Sequence, residues 1–337
     1  MLKIAIFGAG HLGKIHIELI QALDAQYEIV GFYDTNPITA AQIEETYGIP
    51  YYEDFMLLID QADVIDIVTP TKSHFEIASI AIRKFKHVFI EKPLTETLEE
   101  GKKLLDLSRE ANVVVQVGYV ERFNPAFLAI KDQIDQPMFF EIHRLANFNP
   151  RGTDVPVVMD LMIHDLDILL SLVKSGVKKV SASGVAIVSD SPDIANARIE
   201  FDNGCVANVT ASRISLTNMR KTRIFQRSGY IAIDFLKKTS EFIQIDEVEG
   251  EPDPFDMVID LGEGKKSKKI ALTKPTIEMH NAIQKELEHF YECVTQHKKS
   301  IVSIEDGYDS LVLATKIMEQ MQFSNHFSST IKSETNR

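Results

Sequence analysis

The sequence predicts an α/β domain followed by an α+β domain, because the pattern of its apolar segments changes along its 337 residues. Over residues 1–120, apolar runs of strand length alternate with amphipathic stretches of helical length. This alternation predicts a parallel sheet with helices on both faces. Over residues 121–337, strand-like runs follow one another through short turns, which predicts an antiparallel sheet. The length fits two domains with ample core.

The first 34 residues predict a dinucleotide-binding site of the Rossmann type. Strand 3–7 runs into a glycine-rich loop, followed by helix 14–23 and strand 29–33, which ends at an acid. This order of elements is required for a nucleotide site, whereas an ordinary tight turn would leave the acid as coincidence. The predicted cofactor-binding residues here are Gly8, Gly10, His11, Leu12, Gly13 and Asp34.

Each part of this segment has a physical role. Gly8 permits the tight turn, Gly10 lets the backbone approach a pyrophosphate, and Gly13 lets helix and strand pack closely. The helix start presents free N–H groups and its positive dipole end to the phosphates. Asp34 is placed to accept hydrogen bonds from ribose hydroxyls. No basic residue follows it, and a carboxylate repels a 2′-phosphate, so NAD is favoured over NADP.

The rest of the first domain continues the alternation. It is predicted to contain strands 63–68, 87–90 and 113–117, and helices near 73–84 and 96–110. Ligands bind parallel sheets at the carboxyl ends of the strands. The residues that follow these strands are therefore candidates for the site.

The loop after strand 63–68 is Thr69-Pro70-Thr71-Lys72-Ser73-His74. Proline ends the strand, and Ser73 is predicted to cap the next helix. In a nucleotide-binding sheet we expect Thr69, Pro70, Thr71 and His74 to lie near the ribose on the nicotinamide side. A plain capping turn explains the pattern equally well.

Glu91-Lys92-Pro93 follows strand 87–90 at the same predicted edge. Lys92 is predicted to lie near the nicotinamide of the cofactor, where it can lower the pKa of a substrate hydroxyl or shuttle its proton. Glu91 can accept a hydrogen bond from a ribose hydroxyl. The Lys92–Pro93 bond is a candidate for the cis form. The alternative is a solvated turn ahead of a helix.

The second domain begins with strand 139–148 and a helix near 160–173. Asp202-Asn203-Gly204 is a hairpin signal. Residues 250–275 are predicted to be a loop. Two helices, near 278–297 and 304–323, are predicted to follow it, and we expect them to pack back on the first domain. The predicted strands between lie near 177–188, 194–201, 204–212, 219–227, 230–236 and 241–247.

Helix 160–173 carries one polar stripe on an otherwise apolar surface. Asp160, His164, Asp167 and Ser171 follow each other at spacings of four, three and four. A buried polar stripe is costly unless it has partners, so it is predicted to line a site. His164 can act as general base or acid, and a carboxylate one turn away can orient the imidazole or bind a substrate hydroxyl.

Two other interpretations of this stripe stay open. One is a hydrogen-bonded core histidine with Asp160 as the helix N-cap. The other is a metal site, since Asp-x3-His-x2-Asp is compatible with ligation. No further Cys/His cluster supports the metal site, so no metal is expected.

Arginines supply the candidates for an anionic substrate, because a guanidinium captures phosphate or carboxylate through two hydrogen bonds. One or two of them are expected to face a diphosphate. The six are Arg122, Arg144, Arg151, Arg213, Arg220 and Arg223. The predicted substrate-binding residues are Tyr119, Arg122, Arg144, Arg151, Asp160 and His164.

Composition narrows the class of protein. With 49 acidic against 36 basic residues, the net charge of −13 argues against a nucleic-acid partner. Residues 155–173 are apolar but interrupted by charged side chains, so no membrane span is expected. Cys205 and Cys293 have no metal or redox spacing and fit a reducing cytoplasm. No N-terminal signal is seen, so we expect a cytoplasmic protein.

These residues together resemble the glucose–fructose oxidoreductase, inositol dehydrogenase and rhizopine catabolism family, Gfo/Idh/MocA. The resemblance implies a large, open, mostly antiparallel sheet in the second domain and a homodimer or homotetramer formed through that sheet. It rests on Gly8-x-Gly10-x-x-Gly13, Thr69-Pro70-Thr71-x-x-His74, Glu91-Lys92-Pro93, Gly118-Tyr119-x-x-Arg122-Phe123, and Asp160 with His164 and Asp167.

The resemblance also implies an activity. Members transfer a hydride between NAD(P) and a hydroxyl carbon of a sugar or cyclitol. Carried over to this chain, Lys92, Asp160 and His164 form the catalytic group, in which His164 takes the hydroxyl proton and Lys92 polarises the same oxygen. Residues 121–125 and 160–165 look like those of members that oxidise the 3-hydroxyl of UDP-N-acetylglucosamine or its uronic acid.

Other functions remain open at this point. Within the same fold they are a free-sugar or inositol dehydrogenase and a reductase of the bile-pigment type. From other classes they are a glycoside hydrolase that uses NAD for transient oxidation, and a non-catalytic NAD(H)-sensing protein. The intact set of Lys92, Asp160 and His164 argues against the last of these.

Overall fold

Two units make up the computed structural model, which describes residues 1–149, 155–248, 257–262 and 265–334, with side chains to residue 321. The first unit comprises residues 1–123 and 280–312, and the second comprises residues 124–279 and those from 313 onwards. Among the described residues, no helix is long and apolar enough to cross a membrane.

The helices and strands are numbered here in chain order. The strands are β1 (Leu2–Phe7), β2 (Tyr27–Tyr33), β3 (Val64–Ile67), β4 (His87–Glu91), β5 (Val115–Gly118), β6 (Phe139–Leu145), β7 (Val177–Val185), β8 (Ile194–Phe201), β9 (Val206–Ser212), β10 (Met219–Gln226), β11 (Gly229–Asp234), β12 (Thr239–Glu247), β13 (Met257–Ile259) and β14 (Lys268–Thr273). The α-helices are α1 (His11–Ala22), α2 (Pro37–Tyr47), α3 (Phe55–Gln61), α4 (His74–Arg83), α5 (Leu98–Ala111), α6 (Pro125–Leu128), α7 (Ile163–Leu172), α8 (Ala282–Thr295) and α9 (Ile304–Glu334).

The first unit is built on a parallel sheet with the strand order β2-β1-β3-β4-β5. On one face, Ile4 and Phe89 of the sheet pack with Ile17 of α1 and with Leu287 and Phe290 of α8. Full burial of each such side chain contributes roughly 1.5–3 kcal/mol. Because the strands run in parallel, their carboxyl ends meet at one edge of the sheet, as the sequence predicts.

Two helices of this unit, α2 and α3, were not predicted. The signals for α2 are present in the sequence: Asn36 caps it by accepting hydrogen bonds from the N–H groups of Ile38 and Thr39, Pro37 is its first residue, and Gly48 ends it at φ +66°. Ser73 is the N-cap residue of α4, as predicted, but its side chain makes no capping hydrogen bond. The hydroxyl of Ser73 donates to the carbonyl of Pro70 at 2.9 Å, inside a 3₁₀ turn that precedes the helix.

The second unit contains a sheet with the order β13-β14-β12-β11-β10-β6-β9-β8-β7. Strands β6 and β9 pair in parallel, and the neighbouring pairs on either side of them are antiparallel. This confirms the mostly antiparallel sheet. The hairpin between β8 and β9 is also confirmed, with Gly204 at φ +86° and the side chain of Asn203 accepting from the N–H of Cys205.

The prediction of a loop over residues 250–275 is wrong in its described part, because β13 and β14 lie there. Strand β13 lies at the edge of the sheet, and its side chains are exposed. Neither strand therefore shows the alternation of buried and exposed residues that marks a half-buried strand in a sequence.

Helix α7 is fixed to the sheet by a buried ion pair. Arg144 of β6 donates from Nε to Oδ2 of Asp165 at 2.7 Å and from Nη2 to Oδ1 at 2.9 Å. Both side chains are about 4–5 % exposed. This bidentate geometry fixes the start of α7, which carries His164, against the strand.

We expect Arg144→Met and Asp165→Leu each to lower the free energy of unfolding by about 3–5 kcal/mol, because each leaves the other charge buried without its partner. The double variant should lose less than the sum of the two losses, since it leaves no charge unpaired at this position. Urea denaturation followed by circular dichroism measures all three. Additive losses would contradict a coupled pair.

Candidate functional site

The glycine-rich loop after β1 packs so closely against neighbouring backbone that two of its glycines leave no space for a side chain. Gly8 has φ +93°, and a Cβ there would lie 2.7 Å from the carbonyl oxygen of Val68. A Cβ on Gly13 would lie 2.0 Å from the carbonyl oxygen of Gly8. At Gly10, by contrast, nothing lies within 4 Å of the Cβ position. The loop therefore packs tightly on the protein side and leaves its backbone open at Gly10.

The first turn of α1 keeps its N–H groups available for a ligand. Gly10 is the N-cap and provides no side-chain hydrogen bond, and no acidic residue lies in the first turn. The positive end of the helix dipole is therefore not compensated by the helix itself. Such a helix start suits a pyrophosphate.

Asp34 is held beside this loop by two backbone hydrogen bonds. Its Oδ2 accepts from the N–H of Ala9, and its Oδ1 from the N–H of Asn36, both at 2.8 Å. The carboxylate is therefore fixed in orientation, and each oxygen keeps capacity for a further hydrogen bond. A pair of vicinal ribose hydroxyls fits this arrangement.

His74 connects the loops that follow β3 and β4. It is buried, with Nε2 at 2.9 Å from the carbonyl oxygen of Thr69 and Nδ1 at 3.0 Å from that of Pro93. Burial lowers the pKa of His74, against the opposing effect of the two carbonyls. A direct contact from His74 to the cofactor stays a prediction.

Thr69 shows a polar atom that suits a ligand. Its hydroxyl oxygen is buried, and within the described residues it has no hydrogen-bond partner. Together with the open backbone at Gly10 and the fixed carboxylate of Asp34, it fits a dinucleotide along the carboxyl edge of the sheet. The assignment of individual residues to NAD stays a prediction.

Glu91 and Lys92 end β4 at this edge. The Lys92–Pro93 bond is cis. Oε2 of Glu91 accepts from the N–H of Lys92 at 3.2 Å. A Cβ on Gly118, the last residue of β5, would lie 2.7 Å from Oε1 of Glu91, so the carboxylate packs directly on the bare backbone of the neighbouring strand.

Sequence reasoning missed a buried charge cluster below this edge. His16 of α1 is 0 % exposed, with Nδ1 at 3.0 Å from Oδ2 of Asp66 in β3 and Nε2 at 3.4 Å from Oε1 of Glu91. Burial alone lowers the pKa of the imidazole, but the two carboxylates outweigh it and raise the pKa of His16 to about 10. Two features of the sequence could have indicated the cluster: Asp66 lies within an apolar strand, and His16 lies on an apolar helix face.

In the second unit, the side chains of the predicted polar stripe have different environments. Asp160 lies in a π-helical turn, Val158–Met162, and its own N–H donates to the carbonyl of Pro156 at 2.9 Å. Asp160 is therefore inside the helical segment, and the N-cap interpretation is wrong. The hydroxyl of Ser171 donates to the carbonyl of Ile168 within α7. Half-buried ionisable side chains remain at Asp160 and His164.

The π-helical turn changes the geometry assumed from the sequence. Its hydrogen bonds span five residues, so its side chains follow one another at a different angle from those of a regular α-helix. Turns of this kind occur mostly singly and frequently at functional sites. Within the described residues, no group of three metal-ligating side chains is arranged to hold an ion.

The residues predicted to bind substrate have different environments. Tyr119 is fully buried, and Arg122 lies with Nη2 at 3.7 Å from Oδ1 of Asp306. Arg144 is in the bidentate pair with Asp165, which the sequence argument did not foresee. Arg151 lies outside the described residues. The substrate roles of all four stay predictions.

Comparison with known proteins identifies both parts of the chain. Residues 2–119 match the family model GFO_IDH_MocA, described as an oxidoreductase family with an NAD-binding Rossmann fold. Residues 131–326 match the C-terminal alpha/beta domain of the same oxidoreductase family. The predicted fold class and the prediction of NAD as cofactor are confirmed.

Three relatives cover nearly the whole chain. A UDP-N-acetylglucosamine 3-dehydrogenase from Acidithiobacillus ferrooxidans is 32% identical over 300 residues, 88% of this chain and 90% of its own. Its solved structure has a TM-score of 0.83, covering 95% of this chain and 97% of that one at 29% identity. A scyllo-inositol 2-dehydrogenase (NAD(+)) from Bacillus subtilis is 28% identical over 323 residues, 90% of this chain and 89% of its own. Levoglucosan dehydrogenase, solved with NADH and L-sorbose, shares the fold, with a TM-score of 0.79 at 21% identity over 95% of this chain and 97% of its own.

Asp34→Asn tests the choice of cofactor, because it removes the charge and keeps a side-chain oxygen. We expect the Kd for NADH to rise about tenfold, since hydrogen bonds to charged groups contribute roughly 1.5–3 kcal/mol. The Kd for NADPH should fall, because the carboxylate no longer repels the 2′-phosphate. Fluorescence titration measures both, with the exposed Asp24→Asn as control. An unchanged ratio of the two Kd values would contradict this role.

His16→Gln tests the charge state of the buried cluster. A pKa raised from 6.5 to about 10 stabilises the fold fully below pH 6.5, and that stabilisation is lost as the pH rises through about 10. We therefore expect the difference in free energy of unfolding between the wild type and His16→Gln to shrink steadily over this range. Urea denaturation at several pH values measures it. A constant difference would mean that His16 is neutral in the folded protein.

Proposed function

Since this chain belongs to the Gfo/Idh/MocA family of oxidoreductases and is an NAD-type sugar dehydrogenase, we propose that it oxidises the C3 hydroxyl of a UDP-N-acetylhexosamine or its uronate. One observation carries the proposal. The relative named UDP-N-acetylglucosamine 3-dehydrogenase aligns with 88% of this chain at 32% identity. The two family-model matches, over residues 2–119 and 131–326, include the cofactor edge and the segment with Asp160 and His164.

We assign the chemistry to three side chains. His164 accepts the proton of the substrate hydroxyl, and Asp160, one turn away, orients the imidazole or binds a neighbouring hydroxyl. Lys92 lies at the carboxyl end of β4 and stabilises the negative charge that develops on the same oxygen. NAD, when bound, supplies a hydride acceptor.

The arginines are proposed to bind the diphosphate of the nucleotide sugar. Arg122 and Arg151 are suited to this role as guanidinium donors. Arg144 is proposed to act from its pair with Asp165, where it holds the start of α7 in place. Tyr119, which follows β5 at the cofactor edge, is proposed to contact the sugar.

We also propose that the protein is a homodimer or homotetramer formed through the sheet of the second unit. One face of that sheet carries the buried side chains of β6, β10 and β11. On the other face, Phe139, Phe225 and Tyr230 form a half-exposed aromatic row with ring centroids 5.4–6.0 Å apart. Aromatic residues are enriched at protein interfaces.

An inositol dehydrogenase is the second candidate function. The scyllo-inositol 2-dehydrogenase aligns with 90% of this chain, although its identity is lower, at 28%. A cyclitol carries no diphosphate and would need none of the arginines proposed above. The two substrates therefore separate the two functions directly.

We expect NADH to form with UDP-N-acetylglucosamine, in full only when an aminotransferase and its amino donor convert the 3-keto product. Absorbance at the NADH band measures the rate, with scyllo-inositol and free N-acetylglucosamine as parallel substrates. Turnover of the free sugars or cyclitol alone would exclude the nucleotide-sugar assignment.

His164→Ala and the double variant with Lys92→Ala serve as controls of the mechanism. General acid–base groups contribute roughly 10²–10⁴-fold in rate, so the loss in kcat should be of that order while NADH binding persists. Full activity in the double variant would remove this mechanism and leave the fold assignment intact.

A further inference from the structure

Three ionisable side chains lie together beneath the cofactor edge of the first sheet; two are fully buried, and that of Glu91 is 12% exposed. His16 comes from α1, Asp66 from β3 and Glu91 from β4. Each of these elements adjoins a segment assigned to NAD: α1 begins in the glycine-rich loop, β3 leads to Thr69, and β4 leads to Lys92. Among the residues placed in the site so far, His16 and Asp66 have no role.

The charges of this cluster require a cation. Two carboxylates buried without compensation are strongly unfavourable. Phe89 and Tyr27 beside the cluster are neutral: the ring of Phe89 is 5.7 Å from that of His16, and burial raises the pKa of Tyr27, whose hydroxyl donates to the carbonyl of Leu287. Burial lowers the pKa of His74, which also interacts with Glu91. His16 as an imidazolium supplies the positive charge.

Glu91 is confined on three sides. His16 contacts its Oε1, the N–H of Lys92 donates to its Oε2, and the backbone of Gly118 leaves no space for movement towards β5. These contacts restrict the carboxylate to one position. Two of them come from the ends of β4 and β5, and the third, His16, comes from helix α1. A shift of His16 would move the acid that precedes the proposed catalytic lysine.

We propose that His16 is a positioning residue that, held between Asp66 and Glu91, fixes the Glu91 carboxylate at the end of β4 for NAD and for Lys92. This inference rests on the proposed function of the edge as the NAD site. His16 itself touches neither cofactor nor substrate in this assignment. Asp66 orients the ring through Nδ1 and leaves Nε2 directed at Glu91.

A merely structural role of the cluster predicts a different outcome. A buried ion pair that serves only stability would lower the unfolding midpoint on removal and leave the affinity for NADH in the folded protein unchanged. A positioning role changes that affinity through Glu91. The two are separated by measuring NADH binding rather than stability.

The test is a double-variant cycle on NADH affinity, read by fluorescence titration at pH 7.5. We expect His16→Gln to raise the Kd for NADH about tenfold, which lies within the range of coupling between groups in direct contact. Glu91→Gln should raise it similarly, and the double variant no further than Glu91→Gln alone. His87→Gln is the matched control, because His87 starts β4 at the opposite edge and accepts the N–H of Val114 at 3.0 Å. It should leave the Kd unchanged.

Two further measurements cover the case in which His16→Gln does not fold. Gly118→Ala keeps His16 and displaces Glu91, so it should raise the Kd for NADH to the same degree. In the wild type, ¹⁵N NMR of the His16 ring should show both nitrogens protonated from about pH 6 to 9. Normal NADH affinity in both His16→Gln and Gly118→Ala, additive losses in the cycle, or a neutral ring would each overturn the inference.

Failure of this inference is distinguishable from failure of the proposed function. If no nucleotide sugar is oxidised but the Kd values follow the pattern above, His16 keeps its role and the substrate assignment falls. If UDP-N-acetylglucosamine is oxidised and His16→Gln binds NADH like the wild type, the substrate stands and His16 has only a structural role.

Discussion

The contact between Gly13 and the carbonyl group of Gly8 is the constraint on which the first unit depends. A Cβ on Gly13 would lie 2.0 Å from that oxygen, so α1 can approach the end of β1 this closely only because the side chain is missing. The approach sets the position of every residue on α1. It places the open N–H groups of the first turn over the loop, and it places His16 over β3 and β4.

Backbone atoms hold most of the polar groups at this edge, and Glu91 has the side chain of His16 as a further contact. Asp34 is bound by two N–H groups, His74 by two carbonyl oxygens, and Glu91 by the N–H of Lys92. Because the parallel sheet fixes the backbone, it also fixes these side chains. A site arranged in this way needs little reorganisation when a ligand binds.

The parts of the site that follow from local rules could be predicted from the sequence. Gly8 to Asp34 is such a case, because each residue has a role set by its place in one βαβ unit. Contacts between distant segments could not be predicted in the same way. The pairs His16–Asp66 and Arg144–Asp165 join residues that are 50 and 21 positions apart, and no periodicity links them. The π-helical turn that carries Asp160 could not be predicted either, because its period departs from the α-helical one on which the argument relied. Helix α2 was not predicted, although the sequence contains the residues that cap it.

The burial of the His16 cluster has a consequence for the ionic environment in which the edge works. Salt screens charges in solvent within about 8–10 Å at ordinary ionic strengths, but it reaches buried groups much less. The field of the imidazolium and its two acids is therefore largely independent of the surrounding electrolyte. The exposed pairs of the same unit, such as Arg109 with Glu305, weaken as salt rises. The protein thus keeps the electrostatic potential at its strand ends constant while its surface responds to the medium.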